Sequence, residues 1–482
     1  MPPAPNNSNP PAIPLCVDLD GTLIRTDMLW ESLVRLLKKN PLALVAVLLW
    51  WTRGRAHLKQ QLARRVTVDV TVLPYHEPFL AWLRREKISG RKIVLATASD
   101  IAMAKPVADH VGLFDEVFAS DGQTNLRNEN KRRALAARFG DRAFDYAGNS
   151  RDDLGVWCGT HAAVVVNAPR SLAERAAQIT TVAEKFLHNE SRWPAILRSL
   201  RPHQWVKNLI IFVPALAGHR LGDAALLGRA GLAFFAFCFS ASAIYVTNDL
   251  MDLDADRHHA TKCRRPFASG ELPLLTGLWL APLLLLVGLV TAAILSSKLV
   301  AILGLYVFLA TLYSWWLKRV AWLDVFLLAG LYTVRLVAGG VATNIVDSSW
   351  LLLFSMCIFL SLALVKRYVE LAAEKTSASG ARGRGYAPRD LGVITVLGTG
   401  CGGLAALVLA LYVHSYAVVI LYARPRVLLL LCPLLLFWIS RVWLLARRRA
   451  MHDDPVVFAL KDWLSYLIGA LVLAVLWLAT GR

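Results

Sequence analysis

The sequence predicts two architectures in one chain: an α/β domain built on a parallel sheet, followed by an all-α bundle of about nine membrane-crossing helices. Three observations predict this. Charge and apolar residues are unevenly divided. The 482 residues are 56% hydrophobic and 18% charged, whereas an ordinary soluble protein is about 25% charged. Of the formal charge of +19, residues 1–190 carry 25 Lys+Arg against 20 Asp+Glu, and residues 191–482 carry 28 against 14. Second, apolar runs long enough to cross a hydrocarbon core, about 20 residues, are confined to the second part. Third, the first part alternates short apolar runs with helical stretches, the pattern of a parallel sheet covered by helices. This composition excludes a disordered chain and an acidic solvating protein.

The N-terminal elements follow in order. Residues 1–14 begin with the Pro- and Asn-rich MPPAPNNSNPP. They lack the basic start and apolar core of a signal peptide, so a disordered tail is expected. The run IPLCVDLD at 13–20 ends in Asp18 and Asp20, before Gly21 and Thr22. A buried strand delivering two carboxylates at its C-terminal end sits where open α/β sheets bind ligands. A second strand, 92–96, leads into Thr97-Ala98-Ser99, and Lys131 opens a helix at 131–139. A third strand, 143–147, leads into Gly148-Asn149-Ser150-Arg151-Asp152-Asp153, and a last one, 162–166, closes the sheet. The segment 171–195 reads as a helical linker.

Nine candidate spans follow, at about 205–219, 226–248, 274–296, 298–316, 322–342, 349–365, 393–413, 427–446 and 457–480. With the N-terminal domain in the cytoplasm, the inside loops 249–273, 317–321, 366–390 and 447–456 hold 15 Lys+Arg, and the outside segments hold 5. That asymmetry obeys the positive-inside rule. The expected location is therefore the inner (cytoplasmic) membrane, multi-pass. Loop topology accounts for the positive charge, so no nucleic-acid partner is expected. The seven cysteines form no CxxC pair and are expected as small packing residues in a reducing compartment.

The densest chemistry lies at the end of the second span: Asn248-Asp249-Leu250-Met251-Asp252-Leu253-Asp254-Ala255-Asp256, followed by Arg257, Lys262, Arg264 and Arg265. If the helix continues, Asn248, Asp249, Asp252 and Asp256 share one face, and Asp254 points elsewhere. Carboxylates crowded at the end of an apolar helix repel one another and resist desolvation, so they mark a functional site. A divalent cation relieves both costs. Oxygen ligands with room for water suit Mg²⁺ bridging to a diphosphate, and the cations that follow suit phosphate oxygens.

In this order the N-terminal motifs resemble the haloacid dehalogenase superfamily of phosphatases over about 15–170, with 27–88 as an inserted helical cap. The resemblance implies Asp18 as nucleophile toward phosphorus, Asp20 as general acid/base, Thr97 and Lys131 as phosphate holders, and Asp153 as a ligand of Mg²⁺. One position departs: the family's fourth motif begins Gly-Asp, whereas here it begins Gly148-Asn149, which removes a negative charge from the metal site. An active phosphatase and a scaffold that has lost activity both remain open. The cap contains PLALVAVLLWW at 41–51, between Lys38, Lys39, Arg53 and Arg55. It is too short to span a bilayer, and two alternatives stand: a buried cap helix, or a helix lying in the membrane interface.

The acidic run NDxxDxxxD resembles the UbiA superfamily of intramembrane prenyltransferases, over about 196–482. The resemblance implies nine helices around a lipid-facing cavity, with Asp249, Asp252 and Asp256 as ligands of Mg²⁺ and Asn248 beside them. Tyr313 and Lys318 resemble the family's YxxxK element, with one residue more between them, and Asp324 follows. The entry RPHQWVKN, with Lys207 and Asn208, looks like the branch that makes polyprenyl-phosphoryl-phosphoribose. Where aromatic prenyltransferases carry a second DxxxD, this chain has Lys366-Arg367-Tyr368-Val369-Glu370, one carboxylate and two cations, which suits more heavily phosphorylated substrates. Lys262, Arg265, Lys366 and Arg367 then meet phosphate, and the partners are a diphosphate donor, a polyprenyl lipid and membrane lipids. Three alternatives remain: an aromatic polyprenyltransferase, a membrane-tethered phosphatase, and a transporter, which would leave the soluble domain unexplained. Oligomeric state is not written in the sequence.

Overall fold

The computed structural model describes residues 13–121, 124–187, 191–346, 348–374, 385–451, 455–459 and 461–480. Most of the expected tail, and 375–384 of the loop expected at 366–390, lie outside the described residues. The chain forms two compact units, Met1–Leu200 with Tyr245–Ala281, and Arg201–Ile244 with Pro282–Arg482. The first unit therefore combines the N-terminal domain with the acidic segment and its flanks.

In the first unit, six strands form one sheet: β1 (Leu15–Val17), β2 (Ile93–Asp100), β3 (Glu116–Ser120), β4 (Asp145–Gly148), β5 (Ala162–Ala168) and β6 (Thr181–Leu187). Their order is β3-β2-β1-β4-β5-β6, and every pairing is parallel. Cys16 sits between Val94 and Tyr146, so β1 is central and the strand order turns back between β1 and β4. Loops part at such a point and leave a crevice at the strand ends. Strands β1, β2, β4 and β5 are almost wholly buried, which is why they read as continuous apolar runs.

Four helices lie between β1 and β2: α1 (Met28–Lys39), α2 (Ala43–Thr52), α3 (Arg55–Ala63) and α4 (Glu77–Ile88). The carboxylate of Asp27 starts α1 by accepting the Leu29 N–H at 2.8 Å. Beyond β2 come α5 (Ile101–Val111), α6 (Glu129–Phe139), α7 (Leu154–Trp157), α8 (Arg170–Ile179) and α9 (Trp193–Leu200). The sheet does not close at 166. Strand β6 adds to its edge, within the stretch expected as a linker. Of β6 only Val182 and Phe186 are partly buried and the other five residues are exposed, so this edge strand leaves a weak sequence signal. Helix α2 is not the buried cap helix: Leu44, Val45, Leu48 and Leu49 are at least half exposed, and Val47 alone is buried.

In the second unit a 3₁₀ stretch, Pro202–Phe212, leads into the short α10 (Val213–Ala217). Helix α11 (Ala224–Met251) begins here and ends in the first unit, where α12 (Leu253–Arg257) follows; α13 (Leu274–Leu295) makes the return. The remaining helices are α14 (Ser297–Trp315), α15 (Leu323–Thr343), α16 (Ser349–Glu374), α17 (Leu391–Val413), α18 (Tyr416–Leu421), α19 (Leu431–Arg447), α20 (Pro455–Ala459) and α21 (Trp463–Thr480). Among the described residues, eight helices are long and apolar enough to cross a membrane, one fewer than the nine candidate spans. The span that falls away is the short 205–219, where Pro214 lacks the N–H needed to carry one α-helix through and the chain winds as 3₁₀ up to Phe212. Helix α16 runs past the expected end at 365, so Lys366, Arg367 and Glu370 stand on a helix and not in a loop. An apolar cavity of about 790 Å³ opens in this unit, lined among others by Leu351, Tyr412, Tyr422, Leu428 and Leu476.

Candidate active sites

At the crevice beside β1 the four expected side chains Asp18, Lys131, Asp153 and Asp20 come together around one that sequence reasoning missed. Lys131 reaches in from the first turns of α6 and donates to Asp18 Oδ1 at 2.8 Å and to the Tyr146 hydroxyl at 2.7 Å. That hydroxyl donates to Asp153 Oδ1 at 2.9 Å. The other oxygen of Asp153 accepts from the Asn149 and Ser150 N–H groups and from the Ser150 hydroxyl. Asp20 accepts the Met28 N–H on one oxygen and the Ser99 hydroxyl on the other. Thr97 is fully buried in β2, and its hydroxyl accepts the Ser99 N–H.

Burial pushes the Asp18 carboxyl up to about 7; Lys131 opposes the shift, and Asp153 and Asp20 add to it. The same carboxylates hold Lys131 above its ordinary value against the cost of burial. Asn149 packs on the turn after the first strand: a Cβ on Gly21 would lie 2.0 Å from Asn149 Nδ2, and Gly21 has φ +77°. Only glycine fits there. Asp18 and Asp153, linked through Lys131 and Tyr146, are the two carboxylates here that could hold a hard cation.

The acidic segment forms a second site of the first unit. Helix α11 ends at Met251, and Asp252 interrupts the winding before α12, although its N–H still bonds to the Asn248 carbonyl and its carbonyl accepts from Asp256. Asp249 and Asp256 are each 2% exposed, which rules out a solvated acidic loop. One nitrogen of Arg265, Nη1, donates to Asp249 at 3.1 Å and to Asp256 at 2.6 Å. Asn248 and Asp252 are half-buried alongside, and Lys262 is exposed on a single 3₁₀ turn. Among the described residues no three acidic, His or Cys side chains enclose a metal by themselves. Two carboxylates converging on one point still fit Mg²⁺, which takes one or two carboxylates and completes its shell with waters and substrate phosphates. Asp254 turns the other way and pairs with Arg35 of α1 at 2.5 Å.

The second unit holds two further polar clusters. In one, fully buried Arg367 donates through Nε to Asp324, through Nη1 to Glu370, and through Nη2 to the Tyr313 hydroxyl at 2.8 Å. Tyr386 donates to the other oxygen of Asp324. Arg367 is thus charge-balanced in place, and Lys366 and Lys318 are half-buried. In the other, Asn208 is buried and accepts from Arg335 Nε at 2.7 Å, while Arg335 also donates to the Leu331 carbonyl and the Tyr306 hydroxyl. Lys207 is half-buried beside Asn208. Arg335 was legible as a lone cation inside an apolar run, which in a membrane span signals function or a buried partner.

The model of the UbiA prenyltransferase family matches residues 209–465. The chain belongs to the UbiA prenyltransferase family. Its UbiA region carries the Asn248–Asp256 site and the Arg367 cluster. The chain is 37% identical over 467 residues to the uncharacterized protein y4nM of Sinorhizobium fredii, covering 95% of this chain and 90% of that protein. It is 38% identical over 282 residues to the nodulation protein NoeC of Azorhizobium caulinodans, covering 58% and 90%. It is 37% identical over 188 residues to decaprenyl-phosphate phosphoribosyltransferase of Mycolicibacterium smegmatis, covering 38% of this chain and 59% of that one.

Proposed function

We propose that the UbiA region transfers phosphoribosyl from phosphoribosyl diphosphate to a polyprenyl phosphate, with Mg²⁺ as cofactor. The observation that carries this is the buried pair Asp249 and Asp256, converging on a single cation position beside Asp252. Two dry carboxylates sharing one guanidinium nitrogen form a cradle for a cation, and cationic Arg265 stands ready for the phosphates that arrive with it. The similarity to decaprenyl-phosphate phosphoribosyltransferase and the RPHQWVKN entry support phosphate-rich substrates.

In the transfer, the bond from ribose C1 to the diphosphate oxygen breaks and its electron pair leaves with the diphosphate. An oxygen of the lipid phosphate forms the new bond to C1. Mg²⁺, when bound, offsets charge on the departing diphosphate. Asp249, Asp252 and Asp256 would hold the cation, and Arg265 and Lys262 meet diphosphate oxygens; Lys207, Lys318 and Lys366 are the phosphate-binding residues proposed for the second unit. Arg367, balanced by Asp324, keeps Tyr313 and Glu370 in position. The apolar cavity of the second unit offers room for a polyprenyl chain.

We further propose that the N-terminal domain is a phosphatase resembling the haloacid dehalogenases and that it removes the 5′-phosphate of the transfer product. An oxygen of Asp18 bonds to phosphorus as the ester P–O bond breaks, Asp20 gives its proton to the leaving alkoxide, and water then hydrolyses the acyl phosphate to regenerate Asp18. Lys131 and Thr97 hold the phosphate oxygens. The protein is proposed to lie in the inner membrane with this domain in the cytoplasm. Exposed α2, with Arg55 over the Trp51 ring and Arg65 over the Trp50 ring, then lies in the lipid interface.

Purified protein in nanodiscs, given labelled phosphoribosyl diphosphate with decaprenyl phosphate, or a polyprenyl diphosphate with 4-hydroxybenzoate, separates this activity from the aromatic alternative. Asp252→Asn abolishes transfer; full activity in that variant sinks the assignment. Asp18→Asn leaves the phosphorylated lipid to accumulate, and an unchanged product mixture removes the phosphatase step.

A further inference from the structure

Helix α1 of the N-terminal domain and the acidic segment are joined by ion pairs that neither proposed reaction uses. Glu31 is completely buried, and both of its oxygens accept from Arg257 of α12, at 3.0 and 2.7 Å. Thr26 donates to the same carboxylate at 2.7 Å. Arg35, one turn further along α1, donates to Glu31 and grips Asp254 through two nitrogens. Arg257 also donates to the Ala268 carbonyl, so a single guanidinium ties α1, α12 and the loop after it. Around these charges, Trp30 and Val34 of α1 pack with Val246, Leu250, Leu253 and Phe267. Gly270, at φ +73°, lets the loop seat on the N-terminal domain, since a Cβ there would come within 2.7 Å of Arg25 Cβ. Burial alone would raise the Glu31 carboxyl, but Arg257 and Arg35 outweigh it and hold the group below its ordinary range.

A buried arginine–carboxylate pair contributes little net stability compared with apolar packing, but it fixes geometry strongly, because a half-broken pair leaves an uncompensated charge. What it fixes here is α12, the helix that carries Asp256. The first turn of α1 also donates the Met28 N–H to Asp20. One rigid helix therefore touches the general acid of one site and clamps the cation-binding segment of the other. We infer that Glu31 and Arg35 are positioning residues for the transfer reaction, so that the N-terminal domain is a structural part of the transferase whether or not it hydrolyses phosphate. This rests on the transferase assignment made above.

The test uses full-length protein in nanodiscs, with Glu31→Gln, Arg257→Lys and the milder Asp254→Asn, made at a half-exposed residue. Hydrogen exchange without substrate is the first readout. Protection over 252–269 falls in Glu31→Gln and Arg257→Lys while β1, β2 and β4 keep theirs. The second is the split between KM and kcat for phosphoribosyl diphosphate with Mg²⁺: KM rises about tenfold in Glu31→Gln, with kcat within about threefold, and less in Asp254→Asn. Variants that keep the sheet protected, yet show unchanged exchange over 252–269 and unchanged KM, overturn the proposal. If wild-type protein transfers nothing from phosphoribosyl diphosphate, the transferase assignment fails, and the exchange readout still decides the clamp.

Discussion

Two sites of the first unit solve the same problem differently. Each brings acidic side chains out of water and sets one cation against them. At Asp18 the cation is Lys131, itself 5% exposed, anchored on α6 and locked by Tyr146 to Asp153. At Asp249 and Asp256 it is Arg265, whose side chain is 28% exposed and arrives from a loop after one 3₁₀ turn. The first cation is buried among its carboxylates; the second is partly solvated. In the proposed phosphatase, a buried lysine organises the phosphate site and the nucleophile before substrate arrives. In the proposed transfer, a guanidinium reached by water gives up two carboxylates to the metal and meets the donor's phosphate instead.

That contrast can be broken at its strongest point first. Lys131→Met strips the fixed cation from buried Asp18 and lowers stability by about 3–5 kcal/mol; hydrogen exchange in β1 and β4 of the full chain measures it, and phosphate release is lost as well. Arg265→Gln removes a partly solvated cation from two buried carboxylates and costs about 1–3 kcal/mol, which added Mg²⁺ restores. It also changes ligand binding: Mg²⁺ binds about tenfold more tightly without donor, while the donor KM rises, both readable by calorimetry and initial rates. Tight coupling of Arg265 to the fold, with no change in Mg²⁺ binding, would falsify the distinction. Asn149→Asp sharpens the first site by returning a charge to its cation shell, and Mg²⁺-dependent phosphate release rises by up to about tenfold. Without divalent cation, the raised Asp18 value makes the domain lose stability as pH climbs from 3.8 toward about 7, and little further above that. The folded state holds a proton there that the unfolded state has released. Thermal unfolding followed across that range shows the slope, and Lys131→Met extends it to higher pH, because Lys131 opposes the upward shift of Asp18. The smallest effect belongs to α2: Leu48→Gln changes stability by less than about 0.5 kcal/mol, yet weakens quenching of Trp50 and Trp51 by brominated lipids.

Much of this was legible in the chain before folding. The strand ends at Asp18 and Gly148 and the spacing of Asn248, Asp249, Asp252 and Asp256 are local patterns, set by the periods of strand and helix. The length of apolar runs marked six of the eight long spans closely; it started the last one six residues before Trp463, and it missed how far α16 continues, since Lys366 and Arg367 look like the end of a span until Asp324 and Glu370 are seen to neutralise Arg367. The span expected at 205–219 failed because it is short and Pro214 interrupts its apolar run. Tyr146 was hidden as one more apolar residue of β4, and its hydroxyl role exists only once α6 brings Lys131 to it.

By itself, then, the sequence determined which residues are acidic, which runs are apolar, and which carboxylates share a face, because these depend on neighbours within one or two turns. Tertiary structure alone decided which cation faces which carboxylate. Arg265 lies 16 residues from Asp249, Lys131 lies 113 from Asp18, and Arg257 lies 226 from Glu31. Charge pairing at such separations is set by packing, since Coulomb attraction between solvated side chains is too weak to choose a partner and becomes selective only where the fold has removed the water.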